Sequence, residues 1–224
     1  MNRLRRFLLL LPALLAAAGC SAEKNLSIVV SAARAPGTNC DFSDPTKYVE
    51  GGAVDMSVFG AASTYFQVFS WESQLQQIST TVNGDQISGA QANTFISTYV
   101  QLSYILVGGS NPPTGIINMS ASITAGATPD KNSVGVELLT PQAATAGYNA
   151  ALANPGASQT LLVTFAIFGN LVGGGSSQTN PVTYPLTLFY GIPPVAGTLT
   201  CPANTTSQMT SCGIPGRDIQ YCVP

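Results

Sequence analysis

The chain has 224 residues, 45% of them hydrophobic and only 8% charged, with a formal net charge of −2 and no histidine. Ordinary soluble domains carry ~25% charged residues, so the surface here must be built from Ser, Thr, Asn, Gln and Gly, while the normal apolar content argues against a disordered chain. The mildly acidic balance offers no field for a phosphate backbone and argues against nucleic acid as a partner. The missing histidine excludes Ser-His-Asp and Cys-His nucleophile systems and His-ligated metals.

At the N-terminus, MNRLRR places Arg3, Arg5 and Arg6 ahead of an apolar run of twelve residues, Phe7 to Ala18. A membrane-spanning helix needs roughly 20, so residues 1–19 read as a secretory signal peptide. Ala17-Ala18-Gly19-Cys20 resembles the lipobox of bacterial lipoproteins, with Ala17 where that family usually has Leu. The resemblance implies cleavage before Cys20, a diacylglyceryl group on its thiol and, as a rule, a fatty acyl group such as palmitate on its new amino group. By the same resemblance, Ser21 rather than Asp implies the outer membrane of a bacterial cell envelope. The implied partner is the lipid bilayer, held by acyl chains worth ~0.8 kcal/mol per buried methylene. Residues 20–26 then form a lipidated tether, and at ~3.5 Å per residue it keeps the body close to the membrane. The leader holds three of the eight basic residues, so five Lys and Arg remain against ten Asp and Glu, a net charge of about −5.

Residues 27–200 alternate. A first strand is expected at 26–33. In "AVDMSVF" Val54, Met56 and Val58 share a face, and strands at 64–71 and 75–82 follow. "TFISTYVQLSYILV" puts Ile96, Val100, Leu102 and Leu106 on one side, with Thr98 and Tyr104 among them. "GIINMSASIT" aligns Ile117, Met119, Ala121 and Ile123, and a strand at 133–139 comes next. Thr140 as cap, Pro141 at the first helical position and a stop at Asn154-Pro155-Gly156 predict one short helix. "QTLLVTFAIF" aligns Leu161, Val163, Phe165 and Ile167, and "PVTYPLTLFY" aligns Val182, Tyr184, Leu186, Leu188 and Tyr190, with Pro185 pointing to an edge or a bulge. Eight or nine such strands, mainly antiparallel and separated by Gly- and Asn-rich turns, predict an all-β fold, a β-sandwich with one short helix. A membrane barrel would alternate too, but the acylated leader, the tail cysteines and the lack of clear aromatic girdles argue against one.

Candidate chemistry is sparse. There is no G-x-S-x-G elbow and no P-loop, and the S-x-x-K match at Ser21–Lys24 falls in the tether. Trp71, the sole tryptophan, precedes Glu72 in a run with Tyr65, Phe66 and Phe69. Trp71, Tyr65 and Glu72 are therefore the candidate ligand-binding residues, as a sugar platform with an acid beside it; the plainer reading is a core or rim tryptophan followed by a solvated strand residue. Glu72 or Glu137 could serve a carboxylate-dependent glycosidase, which needs only two acids. Asp41, Asp44 and Glu50 could hold Ca²⁺, although short polar residues in this spacing more often make Asx turns. No catalytic residue, metal or cofactor is assigned.

With Cys20 given to lipid, Cys40, Cys201, Cys212 and Cys222 remain, and in an exported chain they read as two disulfides with three possible connectivities. Three lie in the tail, residues 201–224, so full pairing ties Cys40 to it and packs the tail on the same domain. The G-x-D-x-x-x-C ending, Gly216 to Cys222, resembles tails of β-rich bacterial lipoproteins without assigned activity. The expected protein is a non-catalytic binding or structural module of the envelope, with a glycan or an envelope protein as candidate partner.

Overall fold

Alternation buries one face of each long strand, and a half-apolar sheet must find a second apolar layer. The computed structural model describes residues 27–37, 41–77, 80–82, 85–87, 92–191, 206–208 and 221–223. In chain order the strands are β1 (Ile28–Arg34), β2 (Tyr48–Val49), β3 (Gly52–Asp55), β4 (Phe66–Ser73), β5 (Thr80–Val82), β6 (Asp85–Ile87), β7 (Phe95–Leu106), β8 (Gly115–Asn118) and β9 (Ser122–Ile123). They continue with β10 (Ser133–Glu137), β11 (Gln159–Leu171), β12 (Ser176–Gln178), β13 (Val182–Phe189), β14 (Thr206–Gln208) and β15 (Tyr221–Val223). Helix α1 (Met56–Phe59) follows β3, and α2 (Pro141–Ala153) follows β10.

Two sheets face each other. One has the order β10-β4-β1-β2; the other runs β3-β13-β11-β7-β8, with β12 added to β11 and β9 to β7. Every pairing is antiparallel except that of β3 with β13 and an isolated bridge between Ile28 and Thr179. Separate two-stranded ribbons join β5 to β6 and β14 to β15. This is the expected all-β sandwich. The expected strand at 115–124 breaks into β8 and β9, only Thr80–Val82 of the expected 75–82 is a strand, and short strands not expected add to the count, which exceeds nine among the described residues.

The core lies between the sheets. Phe69 of β4 meets Phe165 of β11 at 4.8 Å and stands edge-on to Tyr184 of β13 at 5.7 Å, while Trp71 meets Phe95 of β7 edge-on at 6.4 Å. Offset and edge-to-face rings are the favoured geometries for such pairs. Tyr65 also packs here, 6.2 Å from Tyr184. On the outer side of the smaller sheet, the Phe66 ring covers Gly135 of β10, where a side chain would collide with it. An aromatic lying over a strand glycine on the next strand shields the exposed backbone.

Two side chains replace missing backbone partners. The Val30 amide donates to Asn180 Oδ1 (2.7 Å), and Asn180 Nδ2 donates to the Val30 carbonyl (2.9 Å). The carboxamide thus acts as one strand residue, clasping β1 to the start of β13. Arg34, 4% exposed, does the larger job. Its Nε donates to Ser70 Oγ (2.9 Å), Nη1 to the Phe42 carbonyl (3.0 Å), and Nη2 to the carbonyls of Pro129 (2.6 Å) and Asn132 (2.9 Å). A planar fork of donors can serve several segments at once. Here it ties the loop before β2 and the turn before β10 onto β4. The only ion pair among the described residues joins Lys47 to Asp44 (3.6 Å), so this buried cation is neutralised by carbonyl dipoles rather than by a carboxylate.

Two local expectations change. "AVDMSVF" is a strand only as far as Asp55; Asp55 Oδ1 then accepts from the Ser57 amide (2.9 Å) and caps α1. Pro185 lies in a strand that has β11 on one side throughout, and β3 joins on the other side only from Leu186 onward. The proline therefore occupies the last position where that edge is unpaired, which is where a residue lacking an N–H costs least. The helix forms as its caps predict, with Thr140 Oγ1 accepting from the Ala143 amide (3.2 Å). Among the described residues no helix is long and apolar enough to cross a membrane.

Candidate functional site

Trp71 and Tyr65 do not form a surface platform. They are 2% and 0% exposed, and their rings are taken up by core aromatics. Parity along β4 explains it: Tyr65, Gln67, Phe69 and Trp71 point inward, whereas Phe66, Val68 and Glu72 lie on the other face. Glu72 is half-buried there, with the Gln74 amide 3.5 Å away. Glu137 pairs across from Phe66, six residues from Glu72 along β4. At ~3.3 Å per residue the two acids are about 20 Å apart, well beyond the ~5–9.5 Å of a glycosidase pair. Glu137 is also engaged, accepting from the Tyr65 amide (2.6 Å).

Asp41 and Asp44 make Asx turns. Asp41 Oδ1 accepts from the Ser43 hydroxyl (2.8 Å), and Asp44 Oδ1 accepts from the Thr46 amide (2.9 Å) and hydroxyl (2.6 Å). The Thr46 hydroxyl holds the Asp44 carboxyl below the usual carboxylate range, and the Thr128 hydroxyl does the same for Asp130. Among the described residues no three Cys, Asp or Glu gather as a metal set. Cys20, Cys40, Cys201 and Cys212 lie outside the described residues, and of Cys222 only the backbone, in β15, is described.

The sequence shows that charge is scarce; the fold shows where it goes. Arg34, Asp41, Asp44, Lys47, Glu50, Glu72, Asp130, Lys131 and Glu137 sit on the four-stranded sheet or its connections, while Asp55 ends the edge strand β3 of the other sheet and Asp85 opens β6. Strands β7, β8, β11, β12 and β13 carry no charged residue at all. Their outer face is a broad uncharged surface, and its pattern can be read from the register.

One row runs Tyr99–Phe168, the next Ile116–Gln101–Ala166, the next Ser103–Thr164–Thr183, and the last Ile105–Leu162–Pro185. The aromatic row depends on a bulge. Register shifts between Phe168 and Gly169, so Ser97 and Val100 point inward with Thr98 and Tyr99 both between them on the outer side. Thr98 Oγ1 donates to the Phe168 carbonyl (3.2 Å) and fixes the extra residue. Tyr99 consequently lies parallel to Phe168, with centroids 5.0 Å apart and planes 7° apart. Bulges re-aim side chains in this way next to functional surfaces.

Below that stack the small side chain of Ala166 leaves a depression of about 180 Å³. Gln101, Ser103, Thr164, Ala166, Phe168 and Pro181 supply its side-chain lining. The Thr164 and Thr183 hydroxyls hydrogen-bond to each other (2.8 Å), and the Ser103 hydroxyl donates to the Thr164 carbonyl only at 3.4 Å. The site can therefore offer a ring face, a rigid proline and a cluster of hydroxyl and amide groups, with no charge, acid or base. None of these residues stood out in the sequence. The available hint was parity, since Phe168 falls out of phase with the buried run from Leu161 to Ile167. No protein-family model, curated protein or solved structure matches the chain, so the reading rests on this geometry and on the leader.

Proposed function

We propose that the chain is a lipid-anchored protein of the bacterial cell envelope, on the outer membrane, whose β-sandwich is a non-catalytic binding module. Its binding surface is the outer face of the seven-stranded sheet. The observation that carries the binding half is the sorting of charge: an uncharged face with a bulge-positioned aromatic pair and a depression beside it, on strands without a charged residue, while most of the described charges lie on the four-stranded sheet or its connections. Exposed apolar and aromatic area gathered on one face is what partner surfaces use. The anchoring half is supported by Ala17–Cys20 and by the basic and apolar leader ahead of it.

Two measurements test the two halves separately. Cys20→Ser should move the protein from the membrane pellet to the soluble fraction, and retention in the pellet would remove the anchor. The detergent-solubilised wild-type protein should co-sediment with purified envelope fragments, and Ala166→Ile, which fills the depression, should abolish this. Equal sedimentation of the two proteins would remove the binding face.

A further inference from the structure

The depression over Ala166 has the chemistry of a sugar subsite. We infer that it binds a neutral glycan, with Phe168 as the stacking wall and Gln101, Ser103 and Thr164 as the polar contacts, Thr164 being held by its bond to Thr183. This rests on the reading of the outer face as a binding surface and names the class of its ligand.

Charge comes first. No residue of the lining is charged, nor is any residue of the strands that carry it. A phosphorylated, acidic or basic ligand would surrender hydration here without gaining a counter-charge, so the occupant is neutral. Its hydrogen-bonding needs follow from what the wall offers. A hydroxyl both donates and accepts, and a carboxamide donates twice and accepts twice. Thr164 and Thr183 bond to each other with either able to be the donor, so the pair keeps acceptor capacity and can turn its proton toward a ligand. Gln101 is exposed at the rim. Groups that donate and accept equally match a ligand rich in hydroxyls better than a peptide or a lipid tail.

The apolar half fits the same ligand. One face of a pyranose ring is a patch of C–H groups, weakly positive, and it packs against the negative face of an aromatic ring. Phe168 can serve because Tyr99 stacks on it and holds its orientation. Ala166, between the aromatic row and the hydroxyl row, leaves room for the sugar to descend, and Pro181 closes the far side without a flexible chain to order. At about 180 Å³ the space is smaller than the ~300–1,000 Å³ of an enclosed small-molecule pocket. It also opens onto a flat sheet. It therefore suits one residue of a polymer lying across the strands, held loosely at each subsite, rather than a free sugar enclosed on all sides.

The test uses the full mature lipoprotein in detergent with immobilised amylose, mannan, xylan and β-1,3-glucan, and with polygalacturonate as the anionic polymer. At least one neutral polymer should bind and polygalacturonate should not. Gln101→Ala and Ala166→Ile should each weaken that binding about tenfold while leaving the melting temperature and the sheet spectrum unchanged. Raising salt from about 50 to about 500 mM should change the wild-type affinity less than about twofold, as expected without ion pairs. Preference for polygalacturonate, or binding unaffected by both variants, overturns the inference. If the wild type sediments with envelope fragments in an Ala166-dependent way that no neutral glycan competes, the ligand class is wrong and the binding face stands. If Ala166→Ile sediments like the wild type, the face itself is wrong. If the face pairs two copies of the chain, with self-association lost in Ala166→Ile, it is a dimer surface and the glycan inference fails.

Discussion

The guanidinium of Arg34 lies under two loops, surrounded by backbone carbonyls and the Ser70 hydroxyl. Removing it orphans acceptors in three segments together, and each buried orphan costs about 1–3 kcal/mol. Arg34→Leu should therefore lose roughly 3 kcal/mol or more in urea denaturation, and limited proteolysis should cut first at residues 41–47 and 128–132. Arg34→Lys should recover little, because a single ammonium cannot reach Phe42, Ser70 and Pro129 at once; full recovery would show that charge, not the fork, matters. Tyr104 is the second case. Its hydroxyl accepts from the Thr140 amide (3.1 Å), and burial pushes its phenol above the ordinary value of 10.0. The unfolded chain ionises at the ordinary value and the folded one does not. This contribution is therefore complete below about pH 10 and is lost as pH rises through the raised value. Tyr104→Phe should cost about 1–2 kcal/mol near neutrality by orphaning the Thr140 amide. It should also flatten the alkaline fall in stability above pH 10, and an unchanged alkaline limb would assign that fall elsewhere.

The helix and the long inner strands were legible because their signals are local. Thr140 and Pro141 open α2, Asn154 closes it, and Leu161, Val163, Phe165 and Ile167 name the inner face of β11. What was not legible needed a neighbour. Ile96 was expected on the face of Val100, but the extra residue at Thr98 shifts the phase, and Ile96 is exposed. A bulge is a property of two strands, so alternation along one cannot reveal it. Val54, Met56 and Val58 fit a strand, yet Asp55 caps a helical turn and Gly60 ends it with φ +56°, packed by Tyr148. Trp71 is different, since the signal was present: it shares parity with Phe69 and opposes Glu72, and alternation alone already favoured the core. Gly169 holds the bulge in place, for a side chain there would run into the Ile96 carbonyl. Gly169→Ala should destabilise by about 2 kcal/mol, as overpacking does. It should also disturb the Tyr99–Phe168 stack, seen as a change in near-ultraviolet circular dichroism. A silent substitution would mean that the bulge is set by Thr98 alone.

Across the molecule, most of the described charge falls in one layer. The four-stranded sheet and its connections carry the buried arginine and most of the acids and their turns, and β7, β8, β11, β12 and β13 of the other sheet carry the uncharged face, with Asp55 at the β3 edge. The scarcity of charge was plain in the composition. Its segregation was not, because residues 34, 72 and 137 come to share one layer only through the strand order. The register of β10 on β4 keeps Glu72 away from Glu137 and so removes the acid pair that the sequence allowed. A free molecule with one uncharged face has little to keep it apart from its copies. A tethered one meets its partners across the plane of the membrane instead.

The Asn180 clasp also sets a clock. Synthesis delivers β1 early, but the carboxamide that occupies its edge lies 150 residues later, and β3 must wait for β13, which ends at Phe189. At ~5–20 residues per second, that interval is on the order of ten seconds or more. Throughout it, the first strands are complete in sequence and incomplete in pairing. Until the final third is made, Val30 lacks its Asn180 partner and β3 lacks its neighbouring strand. For a chain proposed to pass through a membrane before folding, a latch at its far end leaves the two sheets unjoined at this point until almost all of it has been made.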